Sequence, residues 1–236
     1  MKYTTPYGDL DFWDPYPELE NLKKIGLNLS GGADSAILLF MTCRELVNKP
    51  DHVIIPITGI DDLRPTNIMN ASEIVSFFKE MFPTVRFGKH DSYHYVADTS
   101  ENKRIAHIGA EKRLIESGTV DVLFAGRTAN PPYDELVKHD MIENREMIRD
   151  PDITENKDVF LAAGQYKYYT PFQFHDKRFI ASIYEQYGLL DELFPITASC
   201  TAFSEHTKGF TEPCKFCWWC KEKYWAFGMY DGGVKD

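Results

Sequence analysis

The stretch LNLSGGADSAILLF, residues 27–40, constrains this chain more than any other. An apolar run reads as a strand, breaks at Ser30, Gly31 and Gly32, and resumes with apolar residues at helical spacing. A strand that turns through glycines into a helix presents the first N–H groups of that helix, which lack intrahelical partners and sit at the positive end of its dipole. Glycines let an anion approach with no Cβ in the way. The hydroxyls of Ser30 and Ser35 add donors. Asp34 is out of place against a bare phosphate, but fits if a Mg²⁺ ion lies between carboxylate and phosphates. The plain alternative is an ordinary strand-to-helix turn in which Asp34 stabilises the first helical turn. The complete Ser-Gly-Gly-x-Asp-Ser string disfavours it. No Lys follows the glycines, so this is not the GxxxxGK[ST] loop, and it is not GxGxxG, which disfavours a dinucleotide site.

Residues 24–30, 52–59, 84–89 (TVRFGK) and 120–126 read as strands, and the spacing predicts helices over 33–46, 68–82, 104–118 and 177–188. Near-continuous apolar strands alternating with amphipathic helices predict an α/β, Rossmann-like fold with a parallel sheet covered on both faces. Residues 24–190 are expected to form that domain, with 1–23 as a strap packed on it and 191–236 as a cysteine-bearing C-terminal region. The polar, Pro-containing stretch after Asn130 is expected to be a loop or lid with one short helix. The net charge of −10 makes the chain a poor general binder of nucleic acid and favours a small-molecule substrate. No run reaches the roughly 18 apolar residues of a membrane span. The acidic, aromatic opening has no apolar signal-peptide core, so a cytoplasmic protein is expected.

Of five cysteines, Cys43 lies in a helical pattern and is expected in the core. The other four, Cys200, Cys214, Cys217 and Cys220, stand as C-x13-C-x2-C-x2-C. Four thiolates from a tight knuckle and one loop suit a closed, structural Zn²⁺ site, with Lys208, Lys215, Lys221 and Lys223 offsetting its negative charge. An iron–sulfur cluster, a redox or sulfur-transfer pair at Cys217 and Cys220, and plain buried thiols remain alternatives. The aromatics of FCWWCKEKYWAF are expected to pack around this knuckle.

The Ser-Gly-Gly-x-Asp-Ser string resembles the loop of N-type ATP pyrophosphatases, the PP-loop superfamily. Together with the four-cysteine tail, and with Thr170, Pro171, Lys177, Thr197, Ser199 and Cys200 in the segment before it, the chain is similar to the 7-cyano-7-deazaguanine synthase family. The resemblance covers residues 24–59, 120–133 and 168–228, with Lys223 where the family carries Arg. It implies an ATP-dependent carbon–nitrogen ligase. Such an enzyme adenylates 7-carboxy-7-deazaguanine, adds ammonia to give an amide, activates the amide with a second ATP and releases the nitrile. It implies ATP, Mg²⁺ and Zn²⁺ as cofactors and a homodimer. ATP contacts are expected from Leu29, Ser30, Gly31, Gly32, Ala33, Asp34, Ser35, Thr58 and Gly126, and catalytic roles from Asp34, Arg127 and Lys177. Arg64 and Asn130 are expected on the substrate side. The plain alternative for Arg127 is a surface charge, and for Lys177 an ordinary solvated lysine. The family's Tyr-Gly-Gln-x-His string is replaced here by ITGIDDLRPTN, residues 57–67, so another carboxylate or amide substrate stays open, as does a sulfur-inserting tRNA enzyme of the same superfamily.

Overall fold

The computed structural model describes residues 1–96, 100–143, 149–150 and 158–235. The expected lid lies partly outside them. The chain opens with β1 (Lys2–Thr5) and β2 (Gly8–Asp11), an antiparallel hairpin. There follow β3 (Lys24–Asn28), α1 (Ala33–Leu46), β4 (Val53–Asp61), α2 (Asn67–Met81), β5 (Asp91–Tyr95), α3 (Ser100–Glu116) and β6 (Val122–Ala125). After the short α4 (Tyr133–Lys138) come β7 (Phe160–Ala163), β8 (Tyr166–Tyr169), α5 (Lys177–Gln186) and α6 (Trp218–Phe227). The second sheet has six strands in the order β5-β4-β3-β6-β8-β7, parallel except for the β7–β8 hairpin. The fold is therefore α/β, with a mostly parallel sheet.

Strand alternation divides the sheet into two faces. Ile25, Leu27, Ile54, Val122 and Phe124 point into the main core, where α1, α2 and α5 cover them. Ile55, Ile57 and Leu123 point the other way, onto Leu114 and Ile115 of α3. α1 is enclosed almost all round, which is why its sequence is apolar beyond a single stripe. The N-terminal hairpin and the residues after it close the main core. Tyr3, Phe12 and Trp13 are buried, and the Trp13 amide donates to the Tyr169 hydroxyl at 3.2 Å. No helix among the described residues is long and apolar enough to cross a membrane.

Two elements differ from the expectation. The strand expected over 84–89 is a single rung, Phe87 beside Ile54, and the true edge strand is β5, DSYHY, displaced toward the C-terminus. β5 is polar and half-exposed on both faces, so hydrophobic periodicity does not mark it. The β7–β8 hairpin falls just after the expected loop, where no strand is expected, and turns at Gly164 with φ +61°.

The strand order reverses between β3 and β6, because the chain leaves β3 toward β4 and later returns to the other side. At such a switch point the connections diverge and leave a crevice beyond the carboxyl ends of the strands. Ser30 and Gly31 lie beyond the end of β3, and Gly126 beyond the end of β6.

Candidate active site

The corner after β3 is held from within. Leu29 donates its amide to the Ile57 carbonyl at 2.8 Å and accepts the Thr58 hydroxyl at 2.7 Å. Gly31 takes φ +83°, and a Cβ there would come 2.9 Å from the Asn67 carbonyl oxygen. Both facts require glycine. The Ser35 hydroxyl donates to the Gly32 carbonyl at 3.0 Å and accepts the Ser30 amide at 3.2 Å, closing the turn. α1 begins at an N-cap Gly32 with no side-chain cap. Gly126 faces the same turn, and a Cβ there would lie 2.9 Å from the Asp34 carbonyl oxygen.

This corner opens onto a cleft of about 710 Å³, within the range of small-ligand sites. Ser30, Gly32, Asp34, Ser35, Gly126 and Arg127 line one end of it. Lys177, Arg64 and Cys200 also reach it. Leu29, Ala33 and Thr58 lie behind the lining, as supports of the turn. Gly31 packs toward α2. Asn130 stands outside the lining, its side-chain amide 2.5 Å from Asp150 Oδ1 and its backbone amide 3.1 Å from the Arg149 carbonyl.

The floor of the cleft is a chain of alternating charges. Lys177 is 1% exposed, so it is no solvated lysine. Its Nζ lies 3.1 Å from Asp34 Oδ2 and 2.8 Å from Glu222 Oε2. Glu222 Oε1 accepts Arg149 Nη2 at 2.5 Å. Arg149 also donates to the Thr128 carbonyl at 2.9 Å, the Thr128 hydroxyl at 2.8 Å and the Ala129 carbonyl at 3.1 Å. Burial alone would lower the Lys177 pKa, but Asp34 and Glu222 outweigh it and hold the ammonium above the ordinary lysine value. Among the described residues, four buried polar atoms of the cleft lining have no hydrogen-bond partner: Asp34 Oδ1, Asn67 Oδ1, Arg149 Nη1 and Gln173 Nε2. Buried polar groups are ordinarily satisfied, so unpaired ones in a cleft mark where a ligand completes the set.

The opposite wall centres on Glu111, 3% exposed. It accepts the Asn28 amide at 2.9 Å and the Tyr168 hydroxyl at 2.8 Å, and lies 3.0 Å from His107 Nε2. Burial pushes its carboxyl up, but His107, Asn28 and Tyr168 together bring it below the usual range. At the mouth, Arg64 Nε donates to Asp61 at 2.6 Å, and its guanidinium also bonds the Thr201 carbonyl.

The four cysteine sulfurs of residues 200, 214, 217 and 220 lie within 4.8 Å of one another. Cys217 is the N-cap of α6, and its amide points at Cys214 Sγ at 3.3 Å. A hydrogen bond from Cys200 holds the Cys217 thiol well below the ordinary thiol range. The lysines expected to offset this charge are largely engaged elsewhere. Lys221 pairs with Asp140 at 2.6 Å and Lys208 with Glu212 at 2.8 Å. Lys223 is fully buried and bonds Asp231 and the Thr197 hydroxyl. Asp231 in turn accepts the amides of Ser199 at 2.8 Å and Cys200 at 2.7 Å. Lys223 therefore fixes the loop that carries the first cysteine.

Trp218 and Trp219 do more than pack around the knuckle, since the Arg149 guanidinium lies 4.8 Å and 5.4 Å from their rings. Glu222, Arg149 and Glu111 escape sequence reasoning because each sits among charged neighbours, where a carboxylate or guanidinium reads as solvated. The one available signal was the Glu between two lysines in CKEK, on the helix turn after the last cysteine.

No family model matches the chain, and no curated protein matches it. Among solved structures the chain is similar to U34-tRNA thiolase NcsA from Methanococcus maripaludis with its [4Fe-4S] cluster, at 17% identity and a TM-score of 0.43. The match covers 70% of this chain and 56% of that one, so the chain spans little more than half the length of that protein.

Proposed function

We propose that the protein is an ATP-dependent ligase that adenylates a carboxylate, and then an amide, with ammonia as the nitrogen source. The observation that carries this is Asp34. At the first turn of α1, Oδ2 pairs with a buried lysine while Oδ1 is buried with no partner. A carboxylate oxygen left unpaired beside a glycine turn fits a Mg²⁺ ion, a hard cation that takes oxygen ligands. When bound, that ion neutralises phosphate charge and favours departure of pyrophosphate. The chain's own residues do the rest. The N–H groups of the uncapped first turn of α1, which follow the Ser30–Gly32 turn, cradle phosphate oxygens. Arg149 Nη1, buried and unpaired, is a donor for the same anion. Lys177 orients Asp34. Arg127, at the lip of the cleft, serves phosphate or substrate.

The four thiolates suit Zn²⁺. Tetrahedral zinc with Zn–S of about 2.3 Å sets sulfurs about 3.8 Å apart, and Cys214 and Cys220 already stand at 3.9 Å. A four-iron cluster places each thiolate on a different iron, and so needs a wider set.

The substrate we propose is 7-carboxy-7-deazaguanine, converted to the nitrile by a cytoplasmic homodimer, with Arg64 on the substrate side. The test is a mass-spectrometric assay with this acid, ATP, Mg²⁺ and ammonium. Nitrile with AMP and pyrophosphate supports the reading. AMP formation with a different acid only would keep the ligase and move the substrate. No AMP under any carboxylate would sink both.

One observation favours a second reading, sulfur insertion into tRNA: Cys200 lines the cleft as well as belonging to the cysteine set. That reading requires RNA-dependent AMP release, whereas turnover of the small acid without RNA excludes it.

A further inference from the structure

We propose that Glu222 is a positioning residue through which the four-cysteine centre sets the geometry of the Asp34 corner. The inference rests on the reading of that corner as the Mg·ATP site, and goes beyond it by assigning a role to α6.

Glu222 stands two residues after Cys220 on α6, the helix whose first residues carry Cys217 and Cys220. Its position along and around that helix is thus set by the cysteine knuckle. It is fully buried and bridges two cations, Lys177 at 2.8 Å and Arg149 at 2.5 Å. A buried carboxylate with this geometry is tolerated only because both cations face it, and the cations are tolerated near each other only because it stands between them. Lys177 therefore divides itself between two carboxylates, Glu222 and Asp34.

That division has a consequence for Asp34. With Glu222 in place, Lys177 engages only Oδ2 of Asp34, and Oδ1, on a residue that lines the cleft, is left without a partner. Without the Glu222 charge, Asp34 is the sole anion facing Lys177. The ammonium then moves onto the Asp34 carboxylate and competes with a divalent cation for it. Arg149 loses its buried anion at the same time, and its unpaired Nη1 is no longer held at the cleft wall. The same displacement follows if the knuckle loses its metal and α6 shifts. α6 is also the helix that sets Trp218 and Trp219 against the Arg149 guanidinium, so all its contacts with the corner move together.

The test is Glu222→Gln, read by calorimetric titration of ATP at stepped Mg²⁺ concentrations with the carboxylate substrate withheld. Because a hydrogen bond to a charged group contributes about tenfold or more in an equilibrium, the half-saturating Mg²⁺ concentration is expected to rise on the order of tenfold. The metal content of the four cysteines is expected to stay at the wild-type level. If Glu222→Gln does not fold, Glu222→Asp keeps the buried charge but draws it back from Lys177, and a rise in the same direction is expected. A folded variant with wild-type Mg²⁺ dependence overturns the positioning role while leaving the ATP reading intact. If the wild-type chain itself binds no ATP with Mg²⁺, the functional reading fails, and this inference fails with it.

Discussion

Lys177→Met removes the ammonium at the centre of the buried charge chain and keeps most of the side-chain volume. At an effective dielectric near 20, unit charges at the separations found here, 2.8 Å to Glu222 and 3.1 Å to Asp34, attract by about 5 to 6 kcal/mol each. Most of this is offset by the cost of burying the ions. Asp34 is 20% exposed and can be resolvated. Glu222 keeps Arg149. What remains is the cost of breaking a buried pair from one side, about 3 to 5 kcal/mol. In a chain of this size each kcal/mol shifts Tm by about 2 to 4 °C, so a fall of at least about 6 °C is expected in thermal unfolding followed by circular dichroism. The pH dependence carries a sign. Folded Lys177 binds its proton more tightly than the ordinary value of 10.5 in the unfolded chain. Its contribution is therefore fully present below that value and is lost as pH rises through the folded pKa. The gap between wild type and Lys177→Met should hold from neutral pH to about pH 10 and narrow above it. A Tm within about 2 °C of wild type, or a gap that widens with alkali, would refute the argument that Lys177 is a compensated buried cation.

Asp34→Asn preserves shape and should leave Tm within a few degrees. Its Mg-dependent release of AMP should fall by about a hundredfold or more, and wild-type turnover would remove Asp34 from the site. Cys217→Ser should lose bound metal by elemental analysis and fall in Tm together, whereas lost activity with metal and Tm unchanged would make the knuckle catalytic. Gly126→Ala drives a Cβ to 2.9 Å from the Asp34 carbonyl oxygen, which costs about 1 to 3 kcal/mol by overpacking and weakens ATP binding. A variant with unchanged ATP affinity would show that the β6 loop does not brace the corner.

The corner itself was legible because its signals are local. Glycine, serine and aspartate at fixed offsets between a strand and a helix determine a turn, and the turn is where expected. The parallel sheet was legible through β3, β4 and β6, whose apolar runs face core on both sides. β5 and the β7–β8 hairpin were not, since tyrosines and polar residues at a sheet edge carry no burial pattern. The cysteine set was visible from spacing alone. The ionic floor was not, because Asp34, Arg149, Lys177 and Glu222 come from four separate parts of the chain. Buried ion pairs across such separations leave no local periodicity. Lys177 was singled out for its place at a helix start, and the structure places it there, facing two carboxylates rather than water.

The order of synthesis gives the Lys223–Asp231 contact a further meaning. The glycine turn at residues 30–32 is made early, yet the loop that carries Ser199 and Cys200 is pinned by Asp231, and Lys177 is completed by Glu222. A chain still growing from the ribosome therefore holds an α/β sheet whose corner lacks the Glu222 carboxylate between Lys177 and Arg149, and the Asp231 anchor of the cysteine loop, until residue 231 has emerged. The corner is complete only once α6 and the residues after it are in place, because they bring Glu222 to Lys177 and Asp231 to the loop of Ser199 and Cys200.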